Sequence, residues 1–192
     1  MTDVVLIIDV QNAILEGTAT PERMPAVMQY FDNMVVRLVA LKATAAQHGA
    51  PIILVQNDGP VGHRLEIGSK GWDIVPSLQP SERDIVIHKT ACDSFHDTHL
   101  LTQLTQCGAT RLIVGGCMTQ YCVDTTVRRA VTLGFDVMLL ADGHCTGDAG
   151  GLHQNQIIAH HNATLADVDT SDNAIKLCTT QNIKFENPLS VN

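Results

Sequence analysis

The sequence predicts an α/β domain, a three-layer α/β/α sandwich built on a mostly parallel sheet. Three observations carry that prediction. Short β-rich apolar runs alternate with longer helical stretches from one end to the other, and alternation on this scale means parallel strands with helices on both faces, where right-handed crossovers place them. The first run, Val4–Val10, opens as unbroken aliphatic sequence, as a strand buried on both faces requires. Finally, 192 residues with 45% hydrophobic content are enough for one full core, so a single domain over residues 1–192 is expected.

The elements follow in order. After strand Val4–Val10, a helix from Met24 to His48 carries Val27, Phe31, Met34, Val35, Leu38, Leu41 and Ala45 at helical spacing, with Gly49 as its stop. Then come strand Pro51–Gln56, a loop of about 25 residues, strand Asp84–His88, helix His96–Cys107 and strand Arg111–Val114. A helix Thr119–Leu133, with Thr119 as N-cap, precedes strand Asp136–Ala141. A helix around Leu152–Ala166, a short segment Asp167–Asp169 and a last helix near Ser171–Thr180 complete the chain.

Charge excludes some partners. A formal net charge of −8 and the lack of any basic stretch longer than Arg128-Arg129 argue against nucleic acid and against a membrane surface, both of which need clustered Lys and Arg. The amino terminus, MTDVVLIIDV, has no basic region and too short an apolar run for a signal peptide or a membrane span, so a cytoplasmic location is expected. Six cysteines lie scattered, without the spacing of a disulfide framework.

Ligands of parallel sheets bind beyond the carboxyl ends of the strands. The residues there are Asp9 to Asn12, Asn57-Asp58, Lys89, Gly115 to Cys122 and Asp142 to His144. One carboxylate, one lysine and one cysteine stand out. Cys122 falls in the first turn of its helix, where free N–H groups and the macrodipole favour an anion, which predicts a lowered thiol pKa; the alternative is a buried core thiol. Asp9 emerges from an apolar strand, so its pKa should rise unless a cation is near; the alternative is an ordinary strand-end aspartate. Lys89 would favour both anions, or else is a solvated lysine at a loop mouth. Together the three suit nucleophilic acyl chemistry.

The segments Asp9-x-Gln11-Asn12, Lys89 followed by Ser94-Phe95 and Thr98-x-Leu100, and Gly116-x-x-Thr119-x-x-Cys122-Val123-x-x-Thr126 with Ala130 and Gly134 resemble the isochorismatase-like cysteine hydrolases, from about Val4 to about Asp167. The resemblance implies a Rossmann-like fold on a six-stranded, mostly parallel sheet and catalysis by Asp9, Lys89 and Cys122, with no cofactor. It also implies a cis peptide between Cys117 and Met118. The backbone N–H groups of Met118 and Cys122 would form the oxyanion hole. The implied substrate is a small amide or carbamoyl compound. The implied assembly is a dimer or tetramer. Gln11, Trp72, Phe95, Thr119 and Tyr121 are the expected pocket residues, with Trp72 either a pocket wall, a subunit contact or a plug for its loop.

Departures also count. Nicotinamidases of this family carry an Asp-x-His metal motif, whereas this chain reads Gln56-Asn57-Asp58-Gly59-Pro60 with only His63 near; no metal is expected. Ile14 stands where the family often has an aromatic residue. The rivals are a vinyl-ether hydrolase, a catalytically silent binding protein and a thiol redox protein. Isochorismatases proper lack the nucleophilic cysteine, and Cys117 is not in a C-x-x-C arrangement with Cys122.

Overall fold

The computed structural model describes residues 1–186. Its six-stranded sheet has the order β3-β2-β1-β4-β5-β6, and every neighbouring pair is parallel. The strands are β1 (Asp3–Ile8), β2 (Ile52–Asn57), β3 (Ile85–Lys89), β4 (Arg111–Cys117), β5 (Asp136–Cys145) and β6 (Ile175–Cys178). The helices are α1 (Met24–Gln47), α2 (Leu100–Gln106), α3 (Asp124–Thr132) and α4 (Gln154–Leu165).

β1 is buried along its whole length because both its faces meet a core. Val5 and Ile7 join Val27, Phe31, Met34 and Leu38 of α1, whereas Val4, Leu6 and Ile8 join Leu104 of α2, Val127 and Ala130 of α3 and Leu165 of α4. This is the period-2 alternation of a strand serving two layers. The loop between β2 and β3 is pinned by its own apolar residues: Leu65, Ile74, Val75 and Leu78 are buried.

Three elements differ from expectation. The sixth strand lies at Ile175–Cys178, paired with β5 from Val137↔Ile175, within the stretch expected as a last helix; Ile175 and Leu177 alternate with Lys176, and sheet pairing decides so short a run. α2 begins at Leu100 rather than His96, since Asp97 adopts φ 51° and the Thr98 hydroxyl accepts the Leu100 N–H at 3.2 Å. The helix expected from Thr119 opens as a π-helical turn over Thr119–Val123 before α3 begins.

β1 and β4 are neighbours, yet the chain leaves β1 toward β2 and returns to β4 on the other side. The order of the strands therefore reverses at the β1/β4 boundary, the place at which sheets of this kind form a crevice above the carboxyl ends.

Candidate active site

Three chain segments converge on that crevice, and each is turned into it by a local device. Directly after β1, Asp9 adopts φ 51°, a left-handed conformation that aspartate tolerates better than most residues. At the end of β4, Gly116 has φ 122°, and a Cβ there would run into the backbone of Ile8; only glycine lets β4 pass β1 so closely. The peptide between Cys117 and Met118 is cis, and the chain then enters the π-helical turn that carries Cys122.

Lys89 ends β3 and reaches across β2 to the centre of the group. Its Nζ lies 2.6 Å from Asp9 Oδ2, 3.3 Å from Cys122 Sγ and 3.3 Å from Asn57 Oδ1. The ammonium therefore donates to Cys122 and Asn57 and is paired in charge with Asp9. The Lys89 and Asp9 side chains are fully buried. The Cys122 thiol and the Asp9 carboxyl thus flank the same ammonium.

Burial dominates the electrostatics. It pushes the Asp9 carboxyl above its ordinary 3.8, against the opposing pull of Lys89. Lys89 is held above its ordinary 10.5, burial being outweighed by the Asp9 and Cys122 charges. The Cys122 thiol is pushed up, first by burial and then by the Asp9 charge, with Lys89 opposing. The expectation of a lowered Cys122 pKa is therefore corrected: one buried cation already balances one buried anion, and a second anion on sulfur would lack a partner. These directions favour an Asp9 carboxylate, a Lys89 ammonium and a neutral thiol at rest, with the three protons coupled.

The other expected site residues are placed as follows. Met118 is nearly buried and follows the cis peptide; its carbonyl accepts the N–H groups of Tyr121 at 3.0 Å and Val123 at 3.3 Å. Gln11 is fully buried, and its amide is spent on backbone, donating to the carbonyls of Asn57 at 3.0 Å and Trp72 at 2.7 Å and accepting the Asn57 N–H at 3.0 Å. It stitches β1, β2 and the long loop together. Thr119 is fully buried, with its hydroxyl 2.8 Å from His144 Nδ1. Phe95 stacks on Phe135 of the core at 6.4 Å, and Tyr121 is 47% exposed. Trp72 stacks on His88 and donates its indole N–H to Asp58 at 2.7 Å.

Asp58 also meets His88 Nδ1 at 3.0 Å, while His63 Nδ1 accepts the Leu65 N–H. Among the described residues no group of three His, Cys, Asp or Glu is placed to hold a metal, and no helix is long and apolar enough to cross a membrane.

Sequence reasoning missed Asn57 as a partner of Lys89 and Arg64 as a neighbour of Met118, 3.8 Å from its Sδ. Asn57 stood among the strand-end residues, which was its only signal. The roles of Ser94 and Thr126 also emerge only in three dimensions. The Thr126 hydroxyl donates to Ser94 Oγ at 2.9 Å and accepts the Ser94 N–H at 3.1 Å, fixing the segment after Lys89 against α3.

Comparison with known proteins agrees with this architecture. The chain is 36% identical over 143 residues to a streptothricin hydrolase of Streptomyces noursei, covering 74% of this chain and 49% of that protein. It is 31% identical over 119 residues to the ureidoacrylate amidohydrolase RutB of Serratia proteamaculans, covering 60% of this chain and 47% of that one. It thus spans about half the length of these curated relatives. An isochorismatase from Pseudomonas putida KT2440 superposes with a TM-score of 0.82 at 31% identity, over 95% of this chain and 90% of that one. The N-carbamoylsarcosine amidase of Thermoplasma acidophilum, 19% identical with a TM-score of 0.74 over 96% and 99% of the two chains, shares the fold. The isochorismatase domain profile matches residues 3–172, and the chain belongs to the isochorismatase family of hydrolases.

Proposed function

We propose that this hydrolase cleaves a C–N bond, amide or carbamoyl, of a small molecule through an acyl-enzyme on Cys122. The observation that carries the reading is Lys89 between Asp9 and Cys122, at 2.6 and 3.3 Å, in a buried crevice. Two relatives support it: a ureidoacrylate amidohydrolase, whose name specifies amide hydrolysis, and a streptothricin hydrolase.

Because the resting thiol is neutral, proton transfer and attack are coupled. Asp9 takes the Cys122 proton as sulfur bonds to the carbonyl carbon, so the site's negative charge moves from carboxylate to substrate oxygen without a free thiolate. The backbone N–H groups of Met118 and Cys122 hold that oxyanion, a contribution of roughly 3–4 kcal/mol per donor. Protonated Asp9 then gives its proton to the leaving nitrogen as the C–N bond breaks. In deacylation it takes a proton from water, the hydroxide attacks the thioester, and the proton returns to sulfur. Lys89 stays charged throughout. We assign Trp72, Phe95 and Tyr121 to the pocket walls, and Gln11 and Thr119 to the scaffold behind them.

A screen over small amides, ureas and carbamoyl compounds, wild type against Cys122→Ala, tests this reading. Hydrolysis should disappear in the variant, and mass spectrometry of the wild type during turnover should find an acyl adduct on Cys122. Turnover that survives Cys122→Ala would overturn the mechanism. We also propose self-association to a dimer or tetramer, in which Val61 and Ile67, 91% and 60% exposed, are apolar residues available for covering. Light scattering at micromolar concentration should return a multiple of 20.7 kDa.

A further inference from the structure

Arg64 is a half-buried cation with no carboxylate partner. Its Nε is buried and has no hydrogen-bond partner. One terminal nitrogen donates to the backbone carbonyl of Glu16 at 2.9 Å, and the other meets only the Met118 thioether at 3.8 Å, a weak acceptor. Five N–H donors thus have one full acceptor. The setting makes this unusual, because the chain carries 20 acidic residues against 12 Lys and Arg. Arg23, Arg37, Arg111 and Arg128 each reach a carboxylate, and Arg83 and Arg129 are solvent-exposed. Among the described arginines, Arg64 alone is shielded from solvent in part and has no carboxylate partner.

Its place is also fixed. Leu65 is buried, and the Arg64 carbonyl packs so closely on Gly71 that a Cβ there would collide with it. The guanidinium is thereby held against Met118, whose N–H we assign to the oxyanion hole. The other cation at the site, Lys89, is already paired with Asp9 and donates to Cys122 and Asn57. A half-buried guanidinium whose Nε has no partner is suited to bidentate recognition of a carboxylate.

We propose that Arg64 binds a negative group of the substrate, and that the molecule cleaved is a small amide bearing a carboxylate. This inference rests on the cysteine-amidase reading and names its substrate class. A site built around an unmatched charge discriminates strongly against the analogue that leaves it unmatched.

The test compares succinamate and glutaramate with butyramide and valeramide, in which a methyl group replaces the carboxylate. Wild-type kcat/KM should favour the anionic member of each pair by about 30-fold or more, the scale of one buried charge pair. Arg64→Gln should erase the preference, and Arg64→Lys, which keeps the charge but loses the planar fork, should retain part of it. Independently of turnover, succinamate should raise the melting temperature of Cys122→Ala but not of Cys122→Ala/Arg64→Gln. Cys122-dependent hydrolysis with no preference within the pairs would overturn the role of Arg64 and leave the amidase reading standing. So would a preference that survives Arg64→Gln. Hydrolysis of no amide by the wild type would instead sink the amidase reading. The melting arm then judges Arg64 alone, and equal shifts in the two Cys122→Ala proteins would refute it. Should Arg64→Gln fail to fold, the wild-type comparison and the Arg64→Lys protein still decide.

Discussion

Asp9 has two opposed effects on Cys122, and the geometry ranks them. Its carboxylate shares the Lys89 ammonium with the sulfur, which makes it the candidate base, and its charge is one of the forces that raise the thiol pKa, after burial. Asp9→Asn should therefore lower the pH midpoint of Cys122 alkylation by iodoacetamide while abolishing hydrolysis. Lys89→Met should raise that midpoint, because Lys89 is the opposing charge. Peptide mapping after limited labelling reads both, and an unmoved midpoint in Asp9→Asn would mean that the carboxylate does not act on the thiol. Hydrolysis needs Asp9 ionised, and burial raises its pKa, so the acid limb of activity should lie above 3.8. These three residues were legible in the sequence because each follows a hydrophobic strand, the one place where strand order need not be known. Asn57 and Arg64 were not. An asparagine at a strand end and an arginine in a loop have no pattern of their own until the chain's crossings bring them together.

At the scale of elements, the π-helical turn carrying Cys122 is held by a buried polar relay. The Thr119 hydroxyl lies 2.8 Å from His144 Nδ1, His144 Nε2 lies 2.8 Å from Asn162 Oδ1, and the Asn162 amide donates to the Ala141 carbonyl at 3.0 Å. Since Asn162 presents its oxygen, Nε2 carries the His144 proton, and Nδ1 accepts from Thr119. Burial lowers the His144 pKa from 6.5 to about 4, so the unfolded chain holds that proton more tightly than the folded one. The stabilisation is full above 6.5 and is lost as pH falls toward about 4, a change on the order of 3 kcal/mol. Urea unfolding across that window should show it, and His144→Gln should flatten it. An equal slope in the variant would place the acid sensitivity elsewhere. The relay joins β5, α4 and the turn, three elements whose approach no local signal announces. Similarly, Ile175–Cys178 was read as helix because its four residues carry too little period for pattern to outweigh pairing with β5.

Across the whole molecule, the two ends of the sheet do different work. The carboxyl edge keeps a cysteine, a carboxylate and two cations in a crevice, at a cost in desolvation. The opposite edge is closed by a polar clamp. Arg111, at the start of β4, donates to both oxygens of fully buried Asp3 at 2.7 and 2.9 Å, to the Lys184 carbonyl at 2.8 Å and to Glu186 at 3.1 Å. Asp3 also accepts the Glu186 N–H at 2.6 Å. The clamp ties the first strand to the chain's last described residues across the central β1/β4 pair, and it lies at the other end of those strands from Asp9 and Met118. Stability and chemistry should therefore separate. Arg111→Ala leaves Asp3 buried without its cation and should cost about 3 kcal/mol of unfolding free energy. The pH midpoint of Cys122 alkylation in the folded variant should stay at its wild-type position, because no part of the clamp touches Asp9, Lys89 or Cys122. Urea unfolding and alkylation rates on the same preparation give both numbers. A shifted midpoint at wild-type stability would reverse the assignment and make the clamp part of the site. A loss of stability with the midpoint fixed would locate the fold's reserve at the edge that carries no chemistry, which is what allows the other edge to keep Arg64 unpaired.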